Sequence, residues 1–286
     1  MMQPLFRFAP SPNGLLHLGH AYSAILNFEA AQRCGGEFLL RIEDIDIERC
    51  SLEFETMLLE QLAWLGLAWR QPERRQSEHF GDYALAIERL EQQGLVYPCF
   101  CTRAEIARKV KSLRKWPCDP DGAPHYPGTC KHLSAAQRDR RLASGAYAAQ
   151  RLDMAEALAQ CGTLLAWREF GLGEEGRDVR AEPMLWGDVV IARKDVPTSY
   201  HLAVVVDDAL QGITDVMRGQ DLFAATSLHR LLQHLLGLEA PRYRHHPLIL
   251  DATGRKLGKS HGSTSLAQLR AEGANPRDIR VLAGLA

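Results

Sequence analysis

The tightest constraint on this chain lies in its first 42 residues. Leu5-Phe6-Arg7-Phe8-Ala9 reads as a short buried strand, ended by Pro10 and Pro12 and followed by the turn signal Asn13-Gly14. From His17 to about Cys34 the apolar residues Leu18, Ala21, Ile25 and Phe28 recur near helical spacing, and Gly35-Gly36 closes the helix. Glu37–Ile42 is a second strand. Strand, helix and strand in this space form a βαβ unit, which implies a parallel sheet and an α/β fold.

The rest of the chain fits that start. Helical patterns cover about Ser51–Leu65 and Gly81–Gln93, and strand-like runs cover Ala146–Leu152, Leu164–Phe170 and Asp188–Ala192. His201–Val206 (HLAVVV) is the most apolar strand candidate. A long helix is expected over Asp221–Leu236, then a short strand at Leu248–Leu250, a Gly/Lys-rich loop at 254–262 and two short helices. Residues 95–150 break the rhythm with crowded Cys, Pro, Gly and basic residues, so they read as an inserted module. The expected division is 1–94 and 151–240 as two halves of a nucleotide-binding domain, 95–150 as the insert, and 241–286 as the loop and terminal helices.

Charge and cysteine content narrow the function. The net charge of −1 excludes a protein that coats nucleic acid by bulk charge. Yet Arg103–Arg141 holds ten basic and four acidic side chains, a local charge of +6 suited to a polyanion. No run of about 18 apolar residues occurs, and the first residues lack the pattern of a secretory signal. Seven cysteines in a chain of this size suggest a reducing compartment, the cytoplasm, with thiols free or metal-bound.

Two glycine motifs mislead. Gly171-Leu172-Gly173-Glu174-Glu175-Gly176 matches a dinucleotide loop, but no amphipathic helix follows and two glutamates would repel a pyrophosphate. Gly254–Ser260 resembles a phosphate-binding loop with one residue too few between its glycines.

The segment Ser11–His20, directly after the first strand, is the informative one. His17 and His20 lie one turn apart at a helix start, where exposed N–H groups and a positive partial charge favour phosphate. Gly19 leaves room for a flat ring against the backbone. Cys99-Phe100-Cys101 with Cys130 supplies three thiolates suited to one structural zinc ion. Cys118, His125, Tyr126 and His132 compete for the fourth position, histidine being the usual chemical choice.

At this point the sequence resembles a known family. His17-Leu18-Gly19-His20 is similar to the "HIGH" signature, and Lys256-Leu257-Gly258-Lys259-Ser260 to the "KMSKS" loop, of class I aminoacyl-tRNA synthetases. Leu257 and Gly258 depart from that consensus; both lysines are kept. Arg7–Gly14, Arg41–Asp46, Tyr200–Asp208 and Arg218–Leu222 further resemble the glutamyl branch. Only 26 residues follow Ser260, too few for an anticodon-binding domain, and such a free-standing core resembles glutamyl-queuosine tRNA(Asp) synthetases.

The resemblance implies a Rossmann-like parallel sheet, activation of L-glutamate by ATP with Mg²⁺, and transfer to the queuosine base of tRNA(Asp) by a cytoplasmic monomer. It implies that His17, His20, Lys256 and Lys259 are catalytic, with ATP held by His17, Gly19, His20 and Lys259. Arg7, Ser11, Glu43, Tyr200 and Arg218 would take glutamate, the arginines meeting carboxylates and Glu43 the ammonium. It points to Tyr126 as the partner of Cys99, Cys101 and Cys130 on zinc. The +6 module would hold the tRNA backbone, with Trp116, Tyr126 or Trp167 available to stack on a base. Two other readings compete: a truncated glutamyl-tRNA synthetase charging a 3′ end, and a catalytically inactive tRNA- or nucleotide-binding protein.

Overall fold

A computed structural model describes residues 3–171, 175–250, 257 and 264–285. Its strands, in chain order, are β1 (Leu5–Phe8), β2 (Glu37–Ile42), β3 (Arg70–Arg75), β4 (Val96–Cys99), β5 (Ala149–Leu152), β6 (Ala166–Glu169), β7 (Arg177–Arg180), β8 (Val190–Ala192), β9 (Asp215–Gly219) and β10 (Arg242–His246). The helices are α1 (Leu18–Arg33), α2 (Leu52–Trp64), α3 (Phe80–Gln92), α4 (Arg103–Lys111), α5 (Ala135–Ala143), α6 (Met154–Cys161), α7 (Tyr200–Leu210), α8 (Ala225–Leu235), α9 (Leu266–Ala271) and α10 (Pro276–Leu282). No helix among the described residues is long and apolar enough to cross a membrane.

The main sheet has the order β3-β2-β1-β9-β10-β6-β7. It is parallel throughout except for the β6–β7 hairpin. One buried apolar layer joins α1 and α2 to β1 and β2 and takes in Leu266 and Ile279; the other lies under α3, α7 and α8. Chain connections leave β1 towards β2 and return at β9, so the strand order reverses between β1 and β9. In open α/β sheets such a switch point opens a crevice beyond the carboxyl ends of the strands. Phe8-Ala9 after β1 and Arg218-Gly219 at the end of β9 therefore meet at one place.

The inserted segment builds a separate antiparallel sheet, β4-β5-β8, whose third strand comes from well beyond residue 150. Helices α4 and α5 bury no side chain. Both start in a reciprocal cap, Thr102 with Glu105 and Ser134 with Gln137, which satisfies their first N–H groups locally.

Two expectations change. His201–Val206 is not a strand: it lies in the first half of α7, with Leu202 to Asp208 buried without interruption. A helix covered on several sides by α3, α8 and the sheet loses the polar stripe that would reveal its period. Over Leu248–Leu250 the described backbone carries only a β-bridge at Leu250; the strand paired into the main sheet is β10 just before it, and its sequence RYRHH hides the burial of Tyr243, His245 and His246. The Gly171–Gly176 motif lies between β6 and β7 and is followed by a strand, in keeping with its reading as a misleading match.

Candidate active site

The start of α1 is capped by imidazoles. His17 is the N-cap residue, with extended backbone. Its Nδ1 accepts from the Gly19 N–H at 3.1 Å, and the Nδ1 of His20 accepts from the His17 N–H at 3.2 Å. The rings lie 3.9 Å apart. A nitrogen that accepts carries a lone pair, so both rings are neutral and both carry their proton on Nε2. The cap thus satisfies the helix end with two ring nitrogens. A Cβ on residue 19 would lie 3.0 Å from His17 Cε1, so only glycine leaves that ring in place. Gly19→Ala is expected to cut kcat/KM for ATP about tenfold through a small displacement of the ring, with the melting temperature barely moved; steady-state kinetics and calorimetry check this.

Two cavities meet at this helix start. The first, about 390 Å³, is lined by Arg7, Ser11, Glu43, Tyr200 and Arg218 among others. The second, about 570 Å³, is lined by Asn13, His17, Tyr22, Arg49, Asp221, His246 to Ile249 and Leu257. Phe8, Ala9, Ser11, Gly19, His20, Ser23, Gly219 and Leu222 line both. A side chain on residue 219 would meet the ends of the Asp221 and Leu248 side chains, which would have to shift.

Lys256, Gly258, Lys259 and Ser260 lie outside the described residues. Their described neighbour Leu257 lines the second cavity, and its N–H donates to the carbonyl of Ile249 at 3.2 Å. Further on, Leu266 N–H donates to the Leu16 carbonyl at 2.8 Å, and Ser265 bridges to His17. The chain therefore touches the crevice both within the lysine-bearing segment and just after it.

The first cavity has a charged floor. Arg7 is buried and forked onto Asp208, Nε at 3.0 Å and Nη2 at 3.2 Å. Arg41, with no exposed surface, donates to the same carboxylate at 2.6 Å and to Gln211 at 2.8 Å. Asp207 accepts from Arg74, Gln76 and Tyr83 at 2.7 to 3.0 Å. Burial opposes the charge on Asp208, yet Arg7 and Arg41 hold its carboxyl below the usual range. Burial pushes Glu43 up to about 7, against the pull of Arg41 and Arg7. It also pushes the Tyr200 phenol up to about 12. The cavity thus combines arginines, a carboxyl poised near neutrality and a protonated phenol.

Arg218 has different surroundings. Its donors reach His245, His229, Thr226 and the Leu222 carbonyl, and its guanidinium lies 5.4 Å from the Tyr243 ring centre. None of those partners is a carboxylate. His229, His245, Thr226 and Glu169 gave no signal in the sequence: His245 sits in the polar run RYRHH, and the others are individual polar residues along a helix or strand.

A second constellation lies in the insert. The ligand atoms of Cys99, Cys101 and Cys130 fall within 4.8 Å of one another, so the group could hold a metal ion. Cys101 Sγ is 3.5 Å from Cys130 Sγ, close to the roughly 3.8 Å edge of a tetrahedron with 2.3 Å metal–sulfur bonds. The Tyr126 hydroxyl lies 3.3 Å from Cys101 Sγ and accepts from the Cys130 N–H at 2.8 Å. His125 turns its Nε2 to the Leu185 carbonyl at 2.8 Å, and Cys118 is exposed in a bridge with Pro124. Arg151 covers the Tyr126 ring at 4.0 Å.

The aromatic residues expected to stack on a base need correction. Tyr126 and Trp167 are buried, the latter with its indole N–H on Glu169 at 3.1 Å, so neither offers a face. Trp116 is half-buried and donates to the His125 carbonyl. The exposed aromatic is Tyr147, 79% accessible and just beyond the end of α5. Its plain setting, Ala-Tyr-Ala after a Ser-Gly turn, gave no signal.

Known proteins can now be compared. The family profile for the catalytic domain of class I tRNA synthetases (E and Q) matches residues 5–285. The chain is 47% identical over 283 residues to a glutamyl-Q tRNA(Asp) synthetase of Rhodobacter capsulatus, covering 98% of this chain and 99% of that one. It is 40% identical over 281 residues to glutamate–tRNA ligase 2 of Nitrosococcus oceani, covering 96% of this chain and 57% of the other. The crystal structure of a glutamate-tRNA synthetase from Elizabethkingia anophelis superposes with a TM-score of 0.76 at 25% identity, over 96% of this chain and 60% of that one.

Proposed function

The chain belongs to the class I tRNA synthetases for glutamate and glutamine, and from that premise we propose that it activates L-glutamate with ATP and transfers it to queuosine in the anticodon of tRNA(Asp). It is an ATP-dependent ligase of the aminoacyl-tRNA synthetase type. The observation that carries the finer reading is the pair of joined cavities, one lined by arginines and a carboxyl, the other by the imidazole cap. Together they match an amino acid with two carboxylates beside a nucleotide. The higher identity to a glutamyl-Q synthetase supports the queuosine acceptor over a tRNA 3′ end.

In this reading a glutamate carboxylate oxygen attacks the α-phosphorus of ATP, the bond to the β-phosphate oxygen breaks, and pyrophosphate leaves. The Nε2–H groups of His17 and His20 donate to phosphate oxygens as charge shifts onto them. Lys259, assisted by Lys256, neutralises the departing pyrophosphate, and Mg²⁺ accompanies the nucleotide. Arg7 and Arg218 bind carboxylates, Glu43 the ammonium, and Ser11 and Tyr200 complete the hydrogen bonds. A hydroxyl of the queuosine diol then attacks the adenylate carbonyl, and AMP leaves. The reaction takes place in the cytoplasm, and one chain carries every group named.

The insert supports the tRNA side. Helices α4 and α5 carry basic side chains and bury none, and Tyr147 stands exposed four residues after the end of α5, whose last turn holds Arg140 and Arg141. Tyr147 is the stacking candidate that replaces Tyr126 and Trp167. Zinc on Cys99, Cys101, Tyr126 and Cys130 would hold this module, whose own buried cluster is small. Chelation, or Cys130→Ser, is expected to release one zinc per chain and speed hydrogen exchange across β4 and residues 126–133. Metal analysis and exchange mass spectrometry check it, with exchange in β1, β9 and β10 unchanged.

The deciding assay follows labelled glutamate onto tRNA(Asp) with and without queuosine. Labelling only of the queuosine form supports the proposal. Equal labelling of both would establish 3′ charging, and no glutamate-dependent ATP–pyrophosphate exchange would leave a binding protein.

A further inference from the structure

Arg218 lines the first cavity, yet none of its hydrogen-bond partners is a carboxylate, and Glu169 stands behind one of them, His245. Arginine has only donors. Its Nε donates to His245 Nε2 at 3.1 Å, so that nitrogen bears a lone pair and the His245 proton resides on Nδ1. Nδ1 donates in turn to Glu169 Oε2 at 2.7 Å. Glu169 accepts three more N–H groups: the His245 backbone at 2.8 Å and the Gly171 backbone at 3.2 Å on Oε1, and the Trp167 indole at 3.1 Å on Oε2. Burial works against its charge, but His245 and these donors keep its carboxyl below the usual range. On the far side of Arg218, His229 Nδ1 accepts from Nη1 at 3.1 Å. Nη2 reaches Thr226 at 2.8 Å and the Leu222 carbonyl at 3.2 Å. Four of five N–H groups are thereby held, and one on Nη1 has no acceptor among the described residues.

We infer that Glu169 is a positioning residue for amino-acid binding: acting through His245, it fixes the rotation of Arg218 and leaves the guanidinium charge open to a substrate carboxylate. The inference rests on the proposed glutamate site and assigns a role to a residue outside the cavity. Its logic is a contrast within one site. Asp208 sits directly on Arg7, shared with Arg41, and offsets part of its charge. Placed directly on Arg218, a carboxylate would compete with the substrate in the same way. An imidazole between them moves the balancing charge one residue back and retains directional control. Without the carboxylate, His245 is free to protonate on Nε2. Donor would then face donor, and Arg218 would turn away.

Glu169→Gln removes this control, since an amide cannot accept from donors on both sides. In ATP–pyrophosphate exchange with the full chain, the KM for glutamate should rise roughly 10- to 100-fold, the range seen when an indirect partner is removed. The KM for ATP and the circular dichroism spectrum should stay unchanged, and Glu169→Asp should recover part of the loss. Nitrogen-15 spectra of the wild-type protein supply an independent readout and should show His245 protonated on Nδ1 and bare on Nε2. An unaltered glutamate KM in folded Glu169→Gln would overturn the inference, as would a wild-type His245 protonated on Nε2. If the variant does not fold, the wild-type spectrum decides. Wild-type protein that exchanges with no amino acid would refute the proposed function instead, and the spectrum would still decide the geometry.

Discussion

Glu43→Gln is expected to lower kcat/KM for glutamate by about 10²- to 10³-fold while making the protein more stable at pH 8. The first effect follows from removing the carboxylate proposed to meet the ammonium, which leaves a buried cation without its partner. The second follows from linkage. Folding raises the Glu43 carboxyl from the ordinary glutamate range to about 7, because burial disfavours its charge. Folded protein therefore holds a proton that unfolded protein has released between those values. The favourable contribution is complete below the unfolded pKa and is lost as pH rises through 7, so an ionised Glu43 burdens the fold above neutrality. Glutamine carries no such burden. With allowance for its partial exposure, the gain is on the order of 1 kcal/mol, or roughly 2 °C at this chain length. Melting curves at pH 5 and pH 8 should separate the variants only at pH 8. The same titration predicts that the wild-type KM for glutamate rises about tenfold per unit as pH falls below 7. A flat profile between pH 5.5 and 7 would show that Glu43 does not hold the ammonium.

Lys259→Ala is expected to remove glutamate-dependent exchange by about 10³-fold, the scale of deleting a charged donor aimed at developing phosphate charge. Leu257, two residues before it, lines the cavity that also holds His17 and His20, and Ser265, six residues after it, bridges to His17. Described residues on both sides of Lys259 in sequence therefore touch the crevice. The KM for glutamate should change little, because the described lining of the carboxylate cavity comes from β1, α1, Glu43 just after β2, α7 and β9. Exchange at the wild-type rate would mean that another cation meets the triphosphate.

The opening βαβ unit was legible because three signals coincide: a strand ended by prolines, a glycine-closed helix and a second apolar strand. Arg7, Ser11, Glu43, Tyr200 and Arg218 could be named through family resemblance, and they line one cavity. The groups beneath them could not. His245 sits in a run of arginines and histidines that reads as solvated surface, yet its side chain is buried against Glu169 from a strand 76 residues earlier. Such pairs depend on sheet order, and β10 lies between β9 and β6 only through long crossovers. The reading of HLAVVV as a strand failed for a related reason, since burial on several sides erases the periodicity that distinguishes the two conformations.

The imidazole cap on α1 has a consequence for tolerance of substitution. Each ring closes the helix end through its Nδ1, and both rings line the second cavity. An asparagine at either position keeps an acceptor for the backbone N–H and so preserves the first turn while removing the ring. Local order and contact with the nucleotide are thereby separable by a single exchange at the helix start.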